Sequence, residues 1–477
     1  MAVLDQSQPM YKYFEEISQI PRGSFNEGAI SDYLVKFAKA HQLKYVQDEM
    51  KNVIIYKEAS QGYEDHEPVM LQGHIDMVCE KNNDVDHDFF NDPLDLYIED
   101  GFVKARGTTL GADDGFAISY MLSILADPTL KHPPLDCVFT VQEEVGLFGA
   151  MNIKAKDIRA KRMIGMDTGG ENITCVSSSG GRSTYASKNM TLIDNQYPTF
   201  KLTITGLKGG HSGGNIHKEL GNANKLAFRM LQKLLTLDDV YLVNVKGGLK
   251  DNAIPRECEV VFSFDSSIKF IDKIIAQEAK DIQHELEFSD PNFKYHLSQV
   301  EKTQYCFDAL SSKEAIQFVY LAPNGFKARS MVIDGLTTVS LNLGVIETKD
   351  CQLQCHFSLR SPIKSAVEQL TNEITVLASL LKLEVKSFAD YPGWNYEENS
   401  TMRDILKTVI FEKLNKELIS EASHGGLETG VFKGLIPELD IVTMGPHCFG
   451  AHTPEEKMDL KSFKRMYDVL LAFLERL

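Results

Sequence analysis

No apolar run in this sequence approaches the roughly 18 residues that a membrane-spanning helix needs. The opening Met1-Ala2-Val3-Leu4-Asp5 carries no basic stretch followed by an apolar core, so neither a secretory leader nor a membrane span is expected, and a cytoplasmic location is. Basic charge is short: 50 Lys and Arg stand against 67 Asp and Glu, a net charge of −17. Nucleic-acid binding needs a basic face to meet phosphates, so no such partner is expected. The eight cysteines are scattered without a C-x-x-C. Reduced and mostly buried thiols are therefore expected, with Cys351 and Cys355 in a strand-like run. The acidic residues 82–95 lack EF-hand spacing and read as a solvated loop. Gly209-Gly210-His211-Ser212-Gly213-Gly214 lacks the Lys-Ser/Thr that would make it a P-loop.

What is present is ordinary for a globular chain: 477 residues, 43% apolar and 25% charged, enough for about two or three domains with buried cores. Residues 8–20 and 27–40 read as helices, the second with Ile30, Tyr33, Leu34, Phe37 and Ala38 on one face. Val69 to Val78 is an apolar strand interrupted by Gly73-His74-Ile75-Asp76, and a helix follows Gly111-Ala112-Asp113-Asp114-Gly115. Two more apolar strands, residues 135–141 and 162–166, run into Gln142-Glu143-Glu144 and Asp167-Thr168-Gly169-Gly170. Strands alternating with helices predict an α/β domain whose mainly parallel sheet is covered by helices. From about residue 187 the texture changes. Phe200 to Thr205 alternates strictly, as a half-exposed antiparallel strand does, and further strands and helices follow. The expected organisation is a discontinuous catalytic domain (1–186 and 395–477) with an inserted α+β lid or dimerisation domain (187–394), for which two similar halves are a further expectation. Tyr391-Pro392-Gly393-Trp394, with the single tryptophan, would be the exit linker.

In an open α/β sheet, ligands sit at the carboxyl ends of the strands. Those ends offer His74, Asp76, Asp113 or Asp114, Glu143, Glu144, Asp167 and a late histidine, His447 or His452. Each has an ordinary explanation. A His-x-Asp is more often a surface pair, Glu-Glu a solvated turn, Asp-Asp a helix cap, and Asp before Gly-Gly a turn former. Several acids, each closing an apolar strand, are better explained together. Two imidazoles and three carboxylates are the donor set for a pair of zinc-like ions about 3.5–4 Å apart with a bridging water. One carboxylate must then bridge and another must stay free as a base.

His74-x-Asp76, Gly111-Ala112-Asp113-Asp114, Gln142-Glu143-Glu144-x-Gly146, Met166-Asp167 and Ala451-His452-Thr453-Pro454 occur in the order seen in two-zinc aminopeptidases and dipeptidases. Within that group the chain resembles the aminoacyl-histidine (Xaa-His) dipeptidases, through Thr108-Thr109-Leu110-Gly111-Ala112-Asp113, the Gly209 to Gly214 loop with Leu220-Gly221-Asn222-Ala223-Asn224, and His424-x-Gly426-Leu427-Glu428. The resemblance implies a metallo-dipeptidase that binds two divalent ions, zinc first, with cobalt or manganese as alternatives. It makes His74, Glu144, Asp167 and His452 metal ligands, with Asp113 bridging. Asp76 would orient His74, and Glu143 would be the general base for a metal-bridged hydroxide. His211 would polarise the scissile carbonyl, and Arg360, assisted by Asn252, would grip the substrate's carboxylate. The expected partner is a small dipeptide. A homodimer is a further expectation, with His211 acting in cis or across the dimer. Tripeptidase or acylamino-acid deacylase activity, or a non-catalytic metal-binding relative, are the alternatives.

Overall fold

The structure, a computed structural model, describes residues 2–477. Two compact units emerge. The first takes the chain up to Ser177 with Trp394–Ala422 and Leu427–Leu477, and the second takes Ser178–Gly393 with Ser423–Gly426.

The first unit is built on a six-stranded sheet in the order Lys44–Gln47, Val53–Lys57, Leu135–Thr140, Val69–His74, Arg162–Gly165 and Asp440–Thr443. The last four of these run parallel to one another, while Lys44–Gln47 and Val53–Lys57 join antiparallel at one edge. Val69–His74 is buried along its whole length, which is why its sequence opens on an unbroken apolar run, Val69-Met70-Leu71, rather than alternating. The pairings His74↔Thr140 and Gln72↔Gly165 bring the carboxyl ends of three strands level. Helices Pro9–Ser18, Gly28–Ala40, Ala112–Ala126, Thr401–Leu414 and Leu460–Leu474 share one hydrophobic core with this sheet. Leu460–Leu474 turns Phe463, Met466, Tyr467, Leu470 and Leu474 inward, and Tyr120 stacks on Phe463 with ring centroids 5.1 Å apart. A second, four-stranded sheet in the order Cys448–Phe449, Lys457–Asp459, Phe102–Ala105, Leu96–Glu99 frames the loop that carries His452.

The second unit is a nine-stranded antiparallel sheet. It divides where Tyr241–Gly247 meets Thr337–Lys349 through only two residue pairs, Lys246↔Glu347 and Gly247↔Ile346. One side holds Lys294–Val300, Thr199–Thr205, Cys258–Ser263 and Tyr241–Gly247, with helices Ala223–Leu235 and Ile268–Glu285. The other holds Thr337–Lys349, Gln352–Ser361, Gly180–Asn189 and Glu384–Tyr391, with Gly325–Arg329 pairing Thr337–Lys349, and helices Ala309–Leu321 and Lys364–Leu380. A common core runs under both.

The units part earlier in sequence than the change of texture at residue 187. Gly180–Asn189 pairs with Gln352–Ser361 and Glu384–Tyr391 along its length and so lies in the second unit. Residues 423–426 also belong there, because Ser179 N donates to the carbonyls of Ser423 and Gly425 at 3.1 and 3.0 Å. Trp394 is buried rather than an exposed linker residue. Cys355 is buried as expected, but Cys351 is exposed. It sits with Asp350 at the hairpin turn, where both residues have positive φ, instead of within a strand.

Candidate active site

Each acidic or imidazole side chain at the strand ends of the first unit is delivered by a different local device. His74 is the last residue of its strand and is 1% exposed. Asp113 lies at the start of Ala112–Ala126, where Asp113 and Asp114 depart from helical φ/ψ and Gly111 before them is left-handed at φ 64°. The Asp113–Asp114 peptide bond is cis. Glu143 and Glu144 stand in the turn after Leu135–Thr140, and Asp167 stands two residues past Arg162–Gly165. His452, half exposed with φ 64°, comes from the loop between Cys448–Phe449 and Lys457–Asp459.

These residues converge. His74 Nε2 lies 3.0 Å from Asp113 Oδ1, and His452 Nε2 lies 3.3 Å from Asp113 Oδ2 and 2.9 Å from Glu144 Oε1. The carboxylate of Asp113 thus stands between two imidazoles with one oxygen toward each. His74, Asp113 and Asp167 form one set whose donor atoms fall within 4.8 Å of one another, and Asp113, Glu144 and His452 form another. Together the two sets use five residues and share only Asp113. Glu143 joins a further set with His74 and Glu144.

The other ring nitrogen of His74 faces Asp76, with Nδ1 3.1 Å from its carbonyl oxygen and 3.5 Å from Oδ1. That orientation leaves Nε2 for the cluster. Asp76 is fully buried. It accepts hydrogen bonds from the backbone N–H of Glu143 at 3.1 Å, from that of Glu144 at 3.4 Å, and from Ser24 Oγ at 2.8 Å. Asp114 points away from the cluster and accepts the main-chain N–H of His74 at 3.2 Å. His447 lies elsewhere, with Nε2 3.8 Å from Glu171.

The electrostatics follow from crowding buried acids. Burial, then repulsion from Asp113, pushes Asp167 up to about 7. Burial likewise raises Glu143 and Asp114 well above the usual carboxylate range. Burial opposes ionisation of Asp113 too, yet hydrogen bonds from His452 and His74 outweigh it and hold this carboxyl low. His452 is raised to about 10 by its hydrogen bonds to Asp113 and Glu144. So many carboxylates around two imidazoles are under-compensated, which is the condition that bound divalent cations relieve. Nitrogen and oxygen donors of this kind fit zinc-like ions.

The second unit gathers its own polar group. Gly210–His211 pairs antiparallel with Ala253–Ile254, and Ser212 N donates to Asn252 O at 2.8 Å. Arg360, nearly buried, donates from Nε to Ser212 Oγ at 3.4 Å and from Nη1 to Tyr391 Oη at 3.3 Å. His211, Asn252 and Arg360 therefore come together. His211 Nδ1 accepts the backbone N–H groups of Gly213 and Gly214, each at 3.2 Å.

Residues 70–476 match the model of Peptidase family M20/M25/M40. The chain belongs to this family and is a peptidase. It is 34% identical over 473 residues, 98% of each chain, to the cytosol non-specific dipeptidase of Escherichia coli (strain K12). It is similar in structure to the aminoacylhistidine dipeptidase from Vibrio alginolyticus, with a TM-score of 0.93, 31% identity, and coverage of 100% of this chain and 98% of that one. The fold alone is shared with aminopeptidase PepT from Bacillus cereus ATCC 10987, at a TM-score of 0.58 and 15% identity, with 99% of each chain covered.

Sequence reasoning missed one buried acid in the first unit and the partners of one buried histidine in the second. Glu428 is buried and accepts from Gln72 Nε2 at 2.5 Å and Thr140 Oγ1 at 2.7 Å, and its carboxyl is pushed up to about 8 by burial. Ser179 and Ser340 hold His424 between them, at 2.8 Å from Nδ1 and 2.6 Å from Nε2. His424 and Glu428 stand in a stretch that was singled out, but no local pattern indicates what they touch.

Proposed function

We propose that the chain is a cytosolic dipeptidase that works with two divalent ions, zinc first, and accepts Xaa-His dipeptides among its substrates. The observation that carries this reading is the sharing of Asp113 by two donor sets. His74 and Asp167 would hold one ion, Glu144 and His452 the other, and Asp113 both. The names of the E. coli and V. alginolyticus relatives support the dipeptide substrate, and the first also supports the location. Bound ions of this kind supply Lewis acidity and make water acidic near neutral pH.

The protein's own residues supply the rest. Glu143 belongs to neither of the two sets that share Asp113, so it is the group left to take a proton from the attacking water and return it to the departing amine. Asp76 steadies both the ring of His74 and the turn that presents Glu143. On the second unit, which we assign the part of a lid, His211 takes two N–H bonds at Nδ1, so its proton is on Nε2. Burial and then the positive charge of Arg360 keep this ring neutral. A neutral N–H donor suits a developing oxyanion. Arg360, supported by Ser212 and Tyr391 and with Asn252 nearby, is the proposed anchor for the substrate's carboxylate.

A panel of Xaa-His and other dipeptides, carnosine-like peptides, tripeptides and acylamino acids tests the reading, combined with elemental analysis of the purified protein. Dipeptide cleavage that a chelator abolishes, with two ions per chain, is the expected result. Preference for tripeptides or acylamino acids would overturn the substrate assignment. Full activity with one ion or none would overturn the two-metal mechanism.

A further inference from the structure

Ile20-Pro21-Arg22-Gly23-Ser24-Phe25-Asn26-Glu27 precedes the family match, which begins at residue 70. The segment joins Pro9–Ser18 to Gly28–Ala40. Its backbone runs beside the exit of the His74 strand. Met77 N donates to Arg22 O at 3.1 Å, and Gly23 bridges Met77 in parallel register. Arg22 is only 2% exposed. Its guanidinium donates through Nη1 to the carbonyls of Ile75 at 3.1 Å and Asp76 at 3.0 Å, and through Nη2 to the carbonyl of Gly111.

Glu456 holds residues 110–113 through their amides. Also 2% exposed, it accepts the backbone N–H groups of Leu110 at 2.8 Å, Gly111 at 2.9 Å and Asp113 at 3.2 Å. Thus a guanidinium that ties the Gly111 carbonyl to those of Ile75 and Asp76, and a carboxylate on three amides, grip residues 110–113. Gly111 is required there: a Cβ would stand 2.6 Å from Arg22 Nη2, and its φ is 64°. The opposite charges stabilise each other across this segment, but burying both is costly, and apolar side chains of similar volume often serve stability as well or better. What apolar groups cannot do is fix four peptide units by directional bonds in a dry environment. Those units set where Asp113 stands between His74 and His452.

We propose that Arg22 and Glu456 are positioning residues that clamp residues 110–113 from two sides, hold Asp113 with one oxygen toward each imidazole, and thereby set how tightly the enzyme keeps its metal pair. The inference rests on the assignment of Asp113 as the shared ligand. Glu456→Gln turns an amide NH2 toward backbone donors, and Arg22→Lys keeps the charge but loses the fork. Asp136→Asn is the control. Asp136 is an equally buried carboxylate that accepts the backbone N–H groups of Arg159 and Ala160 at 2.6 and 3.1 Å, at the other end of its strand from Glu143.

The full-length variants are stripped with a chelator, melted with and without zinc, and titrated with zinc against a competing chelator. Glu456→Gln and Arg22→Lys should fold without metal as well as the Asp136→Asn control does. They should bind zinc about 10–100-fold more weakly than native and gain less melting temperature on zinc addition. Asp136→Asn should bind zinc like the native protein. The proposal is overturned if both variants hold zinc within about twofold of native, or if neither folds without metal, since the pair would then serve the fold alone. Asp113→Ala, run alongside, separates the two layers. If that variant keeps both ions, the ligand assignment has failed rather than the clamp.

Discussion

Asp76 Oδ1 accepts the backbone N–H of Glu143 at 3.1 Å, while the same residue faces Nδ1 of His74. Through its main-chain carbonyl and its carboxylate, buried Asp76 therefore joins the end of one strand to the turn after the neighbouring strand of the sheet. His74 and Glu143 cannot shift independently while Asp76 keeps both bonds. Burial opposes its ionisation, but the contact with His74 and the bonds from Ser24 and Glu143 outweigh burial and hold it ionised.

Asp76→Asn should therefore act on the reaction more than on the fold. The amide keeps the volume and one acceptor, but it presents N–H donors to the backbone N–H groups or to Ser24. Activity should fall about 10–100-fold, with a melting temperature close to native. Thermal melts beside steady-state kinetics check this. A large drop in melting temperature with unchanged kcat/KM would show a purely structural residue.

Glu143→Gln should keep both ions and lose proton transfer. The expected loss in kcat is about 10²–10⁴-fold with metal content unchanged. Elemental analysis and turnover on one dipeptide decide it, and near-normal turnover would remove Glu143 from the mechanism.

Arg360→Lys tests the carboxylate anchor. A single ammonium cannot reproduce the planar fork that also reaches Ser212 and Tyr391. KM for a dipeptide should rise about tenfold or more, at roughly 1.4 kcal/mol per factor of ten. A dipeptide amide, lacking the carboxylate, should be handled equally poorly by native and variant enzymes. If the variant loses as much on the amide as on the free acid, Arg360 does not read the carboxylate.

His424 predicts a pH effect. It is buried with each ring nitrogen against a serine hydroxyl. Burial first, then the charge of Arg360, depresses it from 6.5 to about 3. The unfolded chain takes a proton near 6.5 while the folded chain refuses it, so stability present above pH 6.5 is lost as pH falls toward about 3. His424→Gln keeps polar atoms for both serines and removes this titration. Denaturant midpoints at about pH 7 and about pH 4.5 should differ less for the variant than for native protein. Equal differences would show that His424 does not contribute to acid sensitivity.

The primary sequence by itself determined the class of the first unit and which acids and imidazoles stand at its strand ends. Mostly apolar segments at 69–74, 135–140 and 162–165 specify buried parallel strands, and each carries an acid or imidazole at its end or within three residues of it. That information is local, so it survives without a fold. What only tertiary structure decided depends on contacts between residues far apart in sequence. The resemblance already preferred His452 to His447, but the meeting of His452 with Asp113, 339 positions earlier, rests on where the folded loop lies. The boundary at Ser177 rests on the pairing of Gly180–Asn189 with strands near the far end of the insertion. Arg22 and Glu456 carry no pattern at all. A buried charge is recognisable only once the carbonyls and amides that satisfy it are folded around it.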